Sequence, residues 1–218
     1  MERIITIHGT RIENGETLPH SLTVGLDASM RWLTLYKQEF RSDPLNGLYD
    51  ELNNLLPVLS NDEPVSEEFM EQMLSITLKS IENDEERTKR ILSFVWAMAK
   101  NHDRRVPQSS VFYNEFNELS IGSEIVDLAE LLYLSTVSTV QNEYTTTGGT
   151  SDAEATLTDI TLSGLRIGLT YSDTERMTFA EWLDLITAYN NAASRPSEPR
   201  ERVKIATQAD MDRFTYGG

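Results

Sequence analysis

The chain has no cysteine among its 218 residues. That excludes a disulfide scaffold, a thiol nucleophile and zinc sites with cysteine ligands. The length suffices for a hydrophobic core without such staples. Basic residues are scarce: 19 Lys and Arg stand against 35 Asp and Glu, a net charge of -16. A protein that grips nucleic acid by displacing counterions needs a basic face, and an anionic membrane repels a chain of this sign. Neither nucleic acid nor membrane is expected as a partner. Long apolar runs are missing too, so no transmembrane helix is expected. The opening Ile4-Ile5-Thr6-Ile7 is too short for the apolar core of a signal peptide, and the expected address is the cytoplasm.

Signatures of catalysis are also missing. No G-x-S-x-G elbow, no phosphate-cradling glycine loop and no EF-hand spacing occurs. Of the three histidines, His102-Asp103 with His8 or His20 and a later Asp mimics the ligand order of a metal phosphohydrolase. That site needs its ligands on packed helices, whereas these fall in a hairpin and a polar loop and read as solvated. No catalytic residue, metal ligand or cofactor is expected, and the chain does not read as an enzyme.

What is present is periodicity. Ile5 and Ile7 alternate with Thr6 and His8, and Leu22 and Val24 with Ser21 and Thr23, around Asn14-Gly15. This predicts two short strands in a hairpin, with Pro19 confining the second to an edge or to a late start. The period then changes to 3.6. Asp27 is the expected cap of a first helix through Met30, Leu33, Tyr36 and Phe40. Asp43-Pro44 starts a second, which Pro57 ends. A third begins at Ser66, with Phe69, Met73, Ile76 and Ser80 on one face, and Asn83-Asp84 caps a fourth carrying Ile91, Leu92, Val95, Trp96 and Met98. Asn101 to Pro107 reads as a loop, Val111 to Phe116 as a short helix, and Ser123 as the cap of an almost wholly apolar helix through Val137.

The composition breaks at Thr145-Thr146-Thr147-Gly148-Gly149-Thr150-Ser151, an uncharged linker. Beyond it two capping boxes are read, Ser172 with Glu175 and Thr178 with Glu181, and Gly168 closes the preceding helix. The last helix is expected over 179–190, before Pro196 and Pro199. The expected fold is mainly α. Residues 1–143 hold a short N-terminal β-hairpin and a helical domain, 144–153 the Thr/Gly linker, 154–192 a small helical unit, and 193–218 a polar, weakly structured tail.

Charge and aromatics are the remaining signals. Nine acids between Asp62 and Glu86 face one base, Lys79, and hold half of the net charge. They read as a solvated helix face, or as a surface for a basic partner built on Glu67, Glu68 and Glu71. Trp32, Trp96 and Trp182 have neighbours at helical spacing and read as core. Trp182 lies in a unit with little interior, so part of its apolar face, with Leu185 and Tyr189, is a candidate partner contact.

Gly168-Leu169, Glu175, Met177-Thr178, Glu181-Trp182-Leu183-Asp184-Leu185-Ile186 and Tyr189-Asn190 together resemble the C-terminal helix pair of tail assembly chaperones of long-tailed bacteriophages. Ala206 to Phe214 is similar to the ends of such proteins, and Arg11 to Leu18 has the character of their opening strand pair, with Leu18-Pro19 where an aromatic is usual. The specific resemblance spans residues 155–192; over 1–143 it is architectural. It implies a chaperone that holds the tape measure protein soluble through its N-terminal part, recruits major tail protein subunits through its C-terminal part, and leaves before the tail is finished. It also implies residence in the host bacterial cytoplasm rather than the mature virion, an extended product of a two-form gene, and room for self-association. The alternative is an acidic virion structural or adaptor protein without catalytic activity. The acids are clustered rather than striped, which counts against a DNA mimic.

Overall fold

The structure, a computed structural model, describes residues 1–59, 67–115, 124–137 and 156–194. It is mainly helical, with an N-terminal antiparallel hairpin. Strands β1 (Glu2–Glu13) and β2 (Glu16–Asp27) pair from Glu2 opposite Asp27 to Glu13 opposite Glu16. The two-residue connection explains the register: Asn14 and Gly15 both take positive φ, 53° and 85°, the left-handed pair whose twist matches the strands. The hairpin is longer than the apolar alternation indicated, because backbone pairing propagates from this turn through the polar stretch around Gly9. Pro19 pairs opposite Thr10, tolerated because each strand of a two-stranded ribbon is an edge. Near the chain start the ribbon buries Ile5, Ile7, Val24 and Leu26. On its other face the Thr6 and Thr23 hydroxyls lie 3.1 Å apart, and His8 Nδ1 lies 3.0 Å from Ser21 Oγ.

The helices are α1 (Arg31–Phe40), α2 (Leu45–Leu59), α3 (Glu67–Glu82), α4 (Glu85–His102), α5 (Ser109–Glu115) and α6 (Glu124–Thr136). After them come α7 (Leu157–Arg166), α8 (Tyr171–Arg176) and α9 (Phe179–Ser194). The core forms around α4, whose residues from Ile91 to Ala99 are all buried. Strand β2 and helix α1 pack on it, while α6 packs on β1 and α2. Aromatic edges lock α1 to α4: Trp32 meets Phe94 at 5.5 Å and 72°, and Phe40 meets Trp96 at 5.5 Å and 81°. Such pairs contribute about 0.5–1.5 kcal/mol each beyond their buried area.

Several local expectations shift. Asp27 does not cap α1; its carboxylate accepts from the Ser29 amide at 2.9 Å and hydroxyl at 3.1 Å, forming a turn, while Met30 stands at the cap without a side-chain bond. Asp43 caps α2 as read, with Oδ1 accepting from the Leu45 amide at 3.2 Å, but α2 continues two residues past Pro57. Proline withholds one N–H from the preceding turn; it does not prevent residues after it from staying helical. In α3 the buried side is Thr77 and Ile81, flanked by Leu74 and Leu78, and Ile76 is exposed, so the stripe lies one residue over from the one read. Asp84 caps α4 by accepting from the Arg87 amide at 3.0 Å. His102 closes α4 rather than lying in a loop, and α9 runs on to Ser194. Ser123, the linker 144–153 and residues 195–218 lie outside the described residues.

Candidate protein-binding surface

The C-terminal helices are fixed locally by their own chain ends. At α7, Thr156 Oγ1 accepts from the Asp159 amide at 3.3 Å, and the Asp159 carboxylate accepts from the Thr156 amide at 3.0 Å. Thr170 and Asp173 repeat this at α8, at 3.1 and 3.0 Å. At α9, Thr178 Oγ1 accepts from the Glu181 amide at 3.2 Å and Glu181 Oε2 accepts from the Thr178 amide at 2.7 Å. The Thr178 box was legible. The one read at Ser172 sits two residues earlier, at Thr170, and the one at Thr156 was missed, because Asp at the third helical position does the work usually sought from Glu. Hydrogen bonds from the threonine hydroxyl, then from the threonine amide, hold Asp159 and Asp173 below the usual carboxylate range. Gly168, at φ 94°, ends α7: its amide donates to Leu165 O and the Leu169 amide to Gly164 O, both at 3.1 Å.

These helices build no separate core. Leu157, Ile160, Phe179 and Trp182 join the cluster centred on α4 and α6, with α9 packed on α6 and α8 on α1. Trp182 is only 6% exposed and stacks on Phe179 at 5.8 Å and 8°. Its Nε1 faces Gly164, where a Cβ would stand 3.3 Å away, and it has no hydrogen-bond partner. Trp182 is therefore a fastening of α9 rather than a surface contact.

Leu185 and Tyr189 stand differently. They lie one turn apart on the outer side of α9 and are 40% and 50% exposed. Helix α7, packed beside α9, exposes Leu162 and Leu165. Sequence reasoning missed that pair, although the signal was present: Leu157, Ile160 and Gly164 already supply a buried face, so two more leucines on the opposite side exceed what the core uses. Glu67, Glu68 and Glu71 lie on α3, and their side chains are outside the described residues.

Ionic chemistry elsewhere is structural. Glu51, 1% exposed, accepts from Arg87 Nε at 2.9 Å and from Arg90 at 3.4 Å, while Arg87 also donates to Ser80 Oγ at 2.8 Å. This ties α2, α3 and α4 together and was not legible in the sequence. Among the described residues no group of three or more His, Asp or Glu is placed to hold a metal ion, and no helix is long and apolar enough to cross a membrane. The class defined by these features is a mainly helical protein with a β-ribbon at its N-terminus and exposed apolar side chains on α7 and α9. No family model, curated protein or solved structure matches the chain.

Proposed function

We propose that this protein is an assembly chaperone of a long-tailed bacteriophage. It holds the tape measure protein soluble, recruits major tail protein subunits to it, and departs before the tail is complete. The observation that carries this reading is the division of labour within the motif that resembles such chaperones. Gly168, Thr178, Glu181 and Trp182 cap and fasten the helices. Leu185 and Tyr189, with Leu162 and Leu165, are left facing out. A net charge of -16 keeps such apolar surface soluble while it waits for a client. Work is done by binding; the protein is not an enzyme, takes no cofactor and acts in the host cytoplasm.

The test is co-expression of the tagged full-length chain with the neighbouring tape measure and major tail proteins. Both are expected to co-purify with it. Leu185→Ala with Tyr189→Ala should weaken capture of the tail subunit by about tenfold or more, the loss typical of central apolar contacts. Glu67→Lys, Glu68→Lys and Glu71→Lys together should weaken capture of a basic tape measure segment, and more so at low salt. Capture of neither client by the wild-type chain would overturn the reading. Its retention in purified particles would favour a virion adaptor.

A further inference from the structure

We infer that α7, α8 and α9 dock on the rest of the protein as a reversible unit, and detach together before the body unfolds. The unit satisfies its own backbone: each helix starts in a reciprocal cap, and Gly168 closes α7. Its helix ends therefore need few hydrogen bonds from the body, and what holds it there is mainly apolar packing. Among the described residues, polar contacts cross the seam from α1 and its flanks, two of them long: Thr34 Oγ1 to Tyr171 Oη and Lys37 Nζ to Thr158 Oγ1, both at 3.5 Å. The Met30 amide donates to Met177 O at 2.7 Å beside an isolated bridge between Ser29 and Thr178. The Leu157 amide donates to Asp43 Oδ2 at 3.1 Å, and Lys37 reaches the same oxygen at 3.1 Å. Asp43 thus caps α2 with one oxygen and latches α7 with the other.

Surface clefts flank the seam. A cleft of about 450 Å³ runs between the first strand, Arg31 and Glu175. Another, of about 270 Å³, lies between Gln38, Thr161 and Tyr171. The Trp182 indole N–H is buried against Gly164 within the unit and has no partner, so a polar group stays unsatisfied among the side chains that pack this segment. A segment at the margin of a shared core opens at lower free energy than the centre of that core. Opening it would uncover the Phe179–Trp182 stack together with Leu157 and Ile160, an apolar face suited to an apolar helix of a client.

The absence of cysteine makes the test clean. Amide hydrogen exchange is followed on the full-length chain, and on one carrying Ser29→Cys and Thr178→Cys, oxidised and reduced. In the wild-type chain, amides of α7–α9 should exchange as a group at least about tenfold faster than those of Phe94 to Trp96 in α4. Oxidation should close the gap of the reduced variant, which should be at least as wide as in the wild type because Thr178→Cys also removes the α9 cap. Asp43→Asn keeps an oxygen for the Leu45 amide but loses the one that receives Leu157, so it should widen the gap by about fivefold or more. Exchange of α7–α9 at the α4 rate in the wild-type chain, or a gap that neither the cross-link nor Asp43→Asn moves, would overturn the inference. Neither measurement requires a client, so failure of the chaperone reading would leave this result standing.

Discussion

Gly168 shows how much a single residue carries here. At φ 94° it sits where a side chain is strained, and a Cβ there meets no atom within 4 Å. Gly168→Ala therefore tests backbone strain without a clash. It should lower stability by about 1–2 kcal/mol, read as a shift in the urea midpoint at unchanged slope. A second residue prediction concerns Asp103, whose carboxyl is lowered to about 2 mainly by side-chain hydrogen bonds from Arg105, the shortest at 2.8 Å. Carbon NMR of that carboxyl should give a midpoint of about 2, and Arg105→Ala should raise it only part of the way to the ordinary carboxylate range, because the residue-105 amide still donates to Asp103 at 2.9 Å. Residues such as these were legible to different degrees. Gly168 was readable as a helix stop because only glycine takes its conformation cheaply, and Thr178 with Glu181 because a cap needs only local chain. The Glu51–Arg87–Arg90 cluster was not, because its members lie on different helices and no spacing along the chain announces their meeting.

Elements follow the same rule. The hairpin and helices were readable because periodicity and end signals are local; the errors fall where two local signals compete. Asp27 satisfies a cap pattern, yet it ends β2 and turns onto Ser29, which leaves the Met30 amide free to reach Met177. The α3 stripe was read one residue off, because Ile76 and Leu78 flank Thr77 and either side is apolar. The caps of α7 and α8 carry a prediction of their own. Asp159 and Asp173 have folded pKa values below their usual 3.8. A carboxylate depressed in the folded state adds stability above its unfolded pKa, and that stability is lost as pH falls through the folded value. The first turns of α7 and α8 should therefore loosen only as pH drops below about 4, seen as faster amide exchange at Asp159 and Asp173 after correction for the intrinsic rate. In Thr156→Ala with Thr170→Ala these amides should be loose already at neutral pH and show little further acid response. An equal acid response in wild type and variant would show that the loosening arises elsewhere.

At the scale of the molecule, the feature least visible in the sequence is that the segment beyond the linker shares the core of the segment before it. A Thr/Gly stretch signals a break in composition, but only three-dimensional packing decides what lies across it. Leu157, Ile160, Phe179 and Trp182 are all under 8% exposed, and burying each is worth about 1.5–3 kcal/mol as an upper range. The whole protein therefore gains more from docking α7–α9 than from leaving them tethered and free, and α6 and α1 are covered by the same contacts. This yields a prediction for the chain ended after residue 143. Helix α4 keeps its packing on β2 and α1, and α6 its packing on β1 and α2, so the shortened protein should retain its helical circular dichroism per residue. It should melt at a lower temperature, and it should bind more of an environment-sensitive apolar dye than the full chain does. An unchanged melting temperature with no added dye binding would mean that the C-terminal helices contribute nothing to the common core. A lower melting temperature with increased dye binding would show one core assembled from both sides of the Thr/Gly stretch, with the apolar surface that α9 covers laid open.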